Sequence, residues 1–408
     1  MPVMRTPARI PSSACAKSDF LGIFFRSRIL LAILLACILQ PRLSFAADTV
    51  AAEASSASTP PSTVSQAQHI PQEIKRLTVA KYINAVAWTA DGSRLAAVSG
   101  FGGDITVWDT KTWAVVKEFH NYGSMYAFNS LSFLPDGSLL TTPTIGPSPD
   151  PKYETLKHFA LVQWNPNTAT PIRYLPNVPD PTKDLPIKVG PTDTYAVSRD
   201  GTWIAGTGGK GVLLFDSKKG SLSRVIDIPD AYGHPDLARS IAFSPDGKEL
   251  GVCTAFGMAH IFKLQDGSAR LSFKAYPNER FSCGAMAYSP DGKYIATGRH
   301  HSFNFTDINE VAVDIWHVND GSRVTSLPGS TNGTVLKGEV APVRTLSWSA
   351  NDNVFAVGDD LSLRLWRVTE TSQTLLFDKS ISHGAFNVSF SPQGVLAATD
   401  NNQVVIYQ

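Results

Sequence analysis

The segment Arg299-His300-His301-Ser302-Phe303-Asn304-Phe305-Thr306-Asp307 holds the densest group of potential ligands in the sequence. Two imidazoles and a nearby carboxylate could hold a metal ion or a polar ligand. Neighbouring side chains of an extended chain point to opposite sides, however, so His300 and His301 would rarely ligate one ion together. The pattern fits a surface loop with Phe303 and Phe305 tucked down, or a partner contact, better than a metal site. Cys253 and Cys283 could pair as a disulfide in an oxidising compartment, the alternative being two buried thiols. His383 beside Ser382 and Asp193 near Tyr195 stand alone. The chain has no Gly-x-Ser-x-Gly elbow, no His-Glu-x-x-His, no phosphate loop and no paired metal cysteines. No catalytic, cofactor-binding or metal-ligating residue is therefore assigned, and no cofactor is expected.

The elements that must position these residues are repeats. Seven segments begin with an alternating apolar strand that runs into a turn: 85–98, 130–142, 195–207, 240–252, 285–297, 345–357 and 387–399. Five turns carry Asp-Gly, at Asp91, Asp136, Asp200, Asp246 and Asp291, while Asn351-Asp352 and Gln393-Gly394 take the place in the last two. Such pairs accept positive φ, so each marks two antiparallel strands meeting. Four of the six spacings between turns fall at 42–46 residues, close to the period of a four-stranded unit. Each unit continues with a third strand ending on an aromatic residue, such as 105–109, 161–165, 212–216, 313–317 or 363–367. A further turn and a fourth strand follow.

These features resemble the WD-repeat family over about residues 73–408. Its Trp-Asp pair stands complete at Trp108-Asp109 and nearly so at Phe215-Asp216; its Gly-His dipeptide occurs only as Gly233-His234, with Gly338-Glu339 in the corresponding place of the sixth unit. The resemblance implies an all-β fold, a seven-bladed β-propeller with four antiparallel strands per blade. It also implies that the amino-terminal strand completes the last blade. Residues 73–80 read as that lone strand, and the seventh unit stops at Gln408 without a fourth. The family's buried Asp-His-Ser/Thr-Trp network is expected to be incomplete in most blades. The recurring tryptophans are expected in the core between blades.

In such a ring the b–c loops and the d–a connections share one face. The long spacings place insertions there, at 143–157 and 171–193 around blade two and at 299–310 in blade five. Loops on a rigid scaffold carry function more often than strands do. Candidate partner-contact residues are therefore His300, His301, Phe303, Phe305 and Asp307, joined on the same face by Tyr122, Tyr232, His234, Tyr276 and Arg280. Aromatic rings with arginine suit a protein contact, where they supply much of the binding energy. The plainer reading is that they cap strand ends.

Charge and the amino terminus bound the setting. The basic residues Arg26 and Arg28 precede eleven apolar residues, Ile29 to Leu39, then Pro41 and the small residues Ser44 and Ala46. That is the layout of an export signal, cleaved after Ala46. As a helix the run would rise about 16 Å, half of a bilayer core. The rival reading lipidates Cys37 within Leu34-Leu35-Ala36-Cys37, and only then is a membrane expected as a partner. Domain boundaries follow: signal 1–46, a flexible Ala/Ser/Pro-rich linker 47–72, and a propeller 73–408. Without the signal, which holds six basic residues and one acid, 30 basic and 34 acidic residues remain, a net of −4. A mildly acidic body is a poor partner for nucleic acid. The expectation is a periplasmic or secreted, monomeric interaction scaffold that binds a protein or peptide. The alternative is a propeller enzyme or small-ligand binder, lactonase-like or quinoprotein-like, with its site at the channel mouth.

Overall fold

The computed structural model describes residues 71–100, 103–120, 130–142, 161–175, 194–208, 211–276, 281–301, 311–329, 341–350, 353–381, 384–385 and 387–408. Among them, twenty-eight strands form seven four-stranded antiparallel sheets, and there is no helix. The sheets are the blades of a β-propeller. Blades one to six span residues 83–120, 131–175, 195–227, 238–274, 281–328 and 343–380. Strands within a blade are lettered a to d from the inside outward.

Blade seven takes strands a to c from 388–407 and strand d from Glu73–Thr78. The register runs from Glu73 opposite Tyr407 to Thr78 opposite Gln403. Gln72 and Gln408 exchange both backbone hydrogen bonds beyond it, at 2.8 and 3.0 Å. The unpaired first strand and the missing last strand are thus one solution to an exposed sheet edge.

Two-sided burial explains why inner strands read as unbroken apolar runs. In strand b of blade one, Leu95 and Ala97 pack toward blade seven while Ala96 and Val98 pack toward blade two. Seven apolar clusters result, one at each seam between successive blades. The ring is held by its seams.

The Asp-Gly turns divide their labour differently from the sequence expectation. Only the glycine takes positive φ, from 68° to 85° at Gly92, Gly137, Gly201, Gly247, Gly292 and Gly394. The aspartate acts through its side chain. Asp91 accepts from the Thr89 hydroxyl at 2.6 Å, the Ser93 amide at 3.0 Å and the Ser93 hydroxyl at 2.8 Å. The Thr89 hydroxyl oxygen meanwhile accepts from the Arg94 amide at 3.0 Å, tying the start of strand b to the turn. Asp200, Asp246 and Asp291 repeat the arrangement with Ser198, Ser244 and Ser289.

These bonds are strongest with the ionised carboxylate. The Thr89 hydroxyl, followed by the Ser93 amide and hydroxyl, holds Asp91 down at about 2. Asp200 and Asp246 are lowered chiefly by the hydroxyls of Ser198 and Ser244. A folded value below the unfolded one, about 3.9, means stability that is present above about pH 4 and lost as pH falls toward 2. The contribution of these carboxylates is therefore expected to hold steady from pH 7 to 5, and the melting temperature to fall between pH 4 and 2. Asp91→Asn should make that fall shallower in a series of thermal melts, and an unchanged acid slope would refute the assignment.

Two further regularities are invisible in the repeat pattern. Every outer strand carries a register shift opposite the aromatic residue that ends strand c, as between Val107 and Trp108 or between Leu365 and Trp366. Such bulges twist an outer edge away from strand-to-strand pairing with another chain. Arginines on strand d also stitch one blade to the next. Arg173 donates to the Lys218 carbonyl at 2.8 Å, Arg224 to Gln265 at 3.2 Å and Arg270 to Val318 at 2.9 Å.

Candidate functional site

Strand direction puts the b–c turns and d–a connections on one face, as expected. In blade four the two are joined directly. The Ala255 amide donates to the Leu237 carbonyl at 2.9 Å, and the Phe256 amide to the Asp236 carboxylate at 3.1 Å. Asp236 is fully buried and also accepts from the Leu237 amide at 2.8 Å, so it pins the connection to the turn.

Above this pin lies an exposed cluster. Ala231 and His234 exchange both backbone hydrogen bonds at 2.9 Å, closing a two-residue turn whose central residues, Tyr232 and Gly233, have φ of +52° and +80°. That is a type I′ turn, which favours Asn or Gly where Tyr232 sits. A bulky residue in the left-handed region carries strain on the order of 1 kcal/mol or more. The Tyr232 ring meets Phe256 edge-on at 6.3 Å, with the Lys274 ammonium 5.0 Å from its centroid. His234 is exposed and lies 6.4 Å from Phe256, and Leu237 is 40% exposed. Below, His260 is buried against Ser272, 2.8 Å from its hydroxyl, and burial holds its imidazole below the ordinary value.

Blade five departs from expectation. Strand b runs from Tyr294 through His301, so Arg299, His300 and His301 are strand residues and not loop. Arg299 is buried, its guanidinium 5.2 Å from the centre of the Tyr276 ring. His300 Nε2 lies 3.1 Å from Arg344 Nη1, and Arg344 is held at 2.6 and 2.8 Å by Asp360. His301 ends the strand. Phe303, Phe305, Asp307, Tyr122 and Arg280 lie outside the described residues. No group of three or more metal-binding side chains occurs among the described residues.

Tyr276 is a correction. It is fully buried, so it offers a partner nothing; its hydroxyl donates to Thr297 at 3.3 Å, beneath Arg299. The connecting segment dips into the seam because Ala275 and Tyr276 both donate their amides to the Gly257 carbonyl. The cysteines converge as expected. Cys253 and Cys283 are both fully buried with Cα atoms 5.3 Å apart, a separation that a disulfide spans.

A family model described as "WD domain, G-beta repeat" matches residues 72–109 and 329–367. The first stretch contains the closing strand and Trp108-Asp109; the second runs into strand c of blade six. This is a seven-bladed β-propeller in which two stretches match the WD-repeat model. In fold it is similar to a chain of the "Crystal Structure of Mitotic Checkpoint Complex", with a TM-score of 0.61 and 14% identity, over 90% of this chain and 99% of that one. At that identity the likeness is one of fold. In all, 1855 solved chains match, so the fold by itself singles out no partner. No curated protein matches in sequence.

Part of the hydrogen-bond network that the resemblance implies is present among the described residues. Trp164 donates its indole N–H to the Thr141 hydroxyl at 3.0 Å in blade two, and Trp316 to Thr297 at 2.9 Å in blade five. In blade five a third member joins from the d–a connection, the place of the family's histidine, and it is Tyr276. No short motif marks this member, because tyrosine stands where histidine is expected. The exposed Leu237 and the half-buried Phe256 likewise depend on a turn that no local pattern marks.

Proposed function

We propose that this WD-repeat propeller is exported and works as a non-catalytic interaction scaffold that presents its loop-rich face to a protein or peptide. One observation carries the reading. Tyr232 and Leu237 are exposed together on that face, beside His234 and Phe256, on backbone fixed by the Asp236 pin. Exposed aromatic and aliphatic groups on a rigid support fit a contact surface, because little order is lost on binding. The similarity in fold to a chain of a multi-protein complex supports the same reading.

Export rests on the amino-terminal pattern: a signal over 1–46, cleaved after Ala46, followed by the linker 47–72. The approach of Cys253 to Cys283 suits a disulfide formed in an oxidising compartment such as the periplasm. The net charge of −4 for residues 47–408 speaks for a protein partner over nucleic acid.

A photo-cross-linking residue placed at Tyr232 is expected to give a discrete adduct in cells that export the protein. The same residue at Lys111, exposed in the c–d turn of blade one on the opposite face, should give none. Equal labelling from both positions, or from Lys111 alone, would contradict the face assignment. Amino-terminal sequencing of the recovered protein should begin at Ala47; a retained residue 1–46 segment would contradict cleavage.

A further inference from the structure

The connection into blade four leaves the outer strand of blade three and ends at the innermost strand of blade four. It therefore crosses the loop face from rim to channel. Along it the exposed residues occur in a fixed order: Asp230 and Tyr232 nearer the rim, then His234 and Leu237, then Arg239 on strand a. Two backbone devices aim the ends of this stripe. The type I′ turn lifts Tyr232 at a cost in strain, and Tyr232 is held upright between Phe256 and Lys274. A register shift between Ala238 and Ser240 leaves Arg239 as the extra residue of strand a, turned outward.

The same shift occurs on strand a at Asn84, Gly284 and Arg344, so the bulge itself belongs to the architecture. What differs is the charge it exposes. Arg344 is neutralised by both oxygens of Asp360. Arg239 and Lys274 form no ion pair among the described residues, although both are exposed. The exposed acids of the stripe, Asp227 and Asp230, sit at its rim end. The stripe thus offers rings and an aliphatic group in the middle, and at the channel end a guanidinium with no ion pair among the described residues.

We propose that this stripe binds an extended peptide segment with an apolar ring near one end and one or more carboxylates toward the other. The ring packs on Tyr232, His234 and Leu237, and the carboxylate meets Arg239 at the channel mouth. A carboxylate pairs with a guanidinium through two parallel hydrogen bonds, which gives orientation as well as attraction. Asp227 and Asp230 repel the acidic end from the rim, and so fix the direction in which the segment lies. This proposal rests on the interaction-face reading and names the chemistry of its partner.

The test uses the exported protein and fluorescein-labelled octapeptides, read by anisotropy at low salt. The reference probe is Gly-Ser-Phe-Pro-Gly-Glu-Glu-Ser. Controls replace both Glu by Gln, both Glu by Lys, or Phe by Ala, and an oligothymidine probe offers phosphate. The reference peptide should bind about tenfold more tightly than the Gln control, and the Lys control should not bind. Arg239→Gln should weaken binding by about tenfold and reduce its salt dependence. Tyr232→Gly separates binding from folding, because glycine accepts positive φ without strain. That variant should lose binding while its melting temperature stays level or rises. Equal binding of the Glu and Gln peptides, full binding by Arg239→Gln, or tighter binding of oligothymidine would overturn the proposal. If photo-cross-linking at Tyr232 still captures a partner in those cases, only the peptide chemistry falls. If Tyr232 and Lys111 both capture nothing, the interaction-face reading falls with it.

Discussion

Deleting residues 73–78 should leave a chain that aggregates, or one that melts more than about 10 °C lower than the full protein. The deletion removes a strand registered from Glu73–Tyr407 to Thr78–Gln403 and takes away Leu77, which is buried at the seam between blades seven and one. About half a dozen backbone hydrogen bonds at roughly 1 kcal/mol each, plus about 2 kcal/mol for one buried leucine, is comparable to the whole stability of a typical domain. The effect reaches beyond the lost contacts. Strand c of blade seven, residues Gln403–Tyr407, would become an unbulged apolar edge open to another chain. Glu73 adds a smaller contribution at this joint, bonding Arg76 at 2.8 Å and Lys379 at 3.1 Å, while Lys379 also donates to the Tyr407 hydroxyl at 3.0 Å. These groups are half exposed, so Glu73→Gln should cost no more than about 1 kcal/mol. Size-exclusion chromatography and thermal melting of the deletion beside Glu73→Gln separate strand loss from charge loss.

The second large effect is expected at Asp359→Ala. Asp359 is fully buried and accepts from Arg364 Nη2 at 2.7 Å, from the Leu361 amide at 2.8 Å and from the Ser362 amide at 2.6 Å. It therefore holds the b–c turn of blade six and compensates a guanidinium that is itself buried. Removing it strands the charge of Arg364 in a dry seam, which costs about 3–5 kcal/mol. Burial, the larger influence, pushes the Asp359 carboxyl up, against the pull of Arg364 and the two amides. The pair thus serves to place the turn more than to add stability. Removing both charges with shape kept, as in Asp359→Asn with Arg364→Met, should recover part of the loss. Chemical denaturation of the two variants would measure it; a single variant as stable as the wild type would contradict the buried pair.

The propeller was legible because its signals are periodic and local. Glycines at fixed spacing require positive φ whatever the distant chain does, and alternating apolar strands need cover on both sides. Ring closure could be anticipated because a lone strand before blade one and a missing strand after blade seven leave matching edges. The site was legible in part. Tyr232 and His234 are exposed on the anticipated face, since the Gly233 turn marks their position. Tyr276 could not be placed from sequence, because its burial depends on a carbonyl of blade four, Gly257, nineteen residues earlier. Arg239, Leu237 and Phe256 carry no motif either; a bulge and a side-chain pin decide what they face. Reading Arg299 and His300 as loop residues hid the fact that Arg299 belongs to the interior.

The closure of the ring by its own amino terminus is the claim on which every face assignment depends. Thr78 and Gln403 are Cα partners across that joint. Under mild oxidation, Thr78→Cys with Gln403→Cys should form an intramolecular disulfide, identified by peptide mapping, in a protein that remains monomeric. Free thiols at both positions, or bonds only between separate chains, would show that the two termini do not share a sheet.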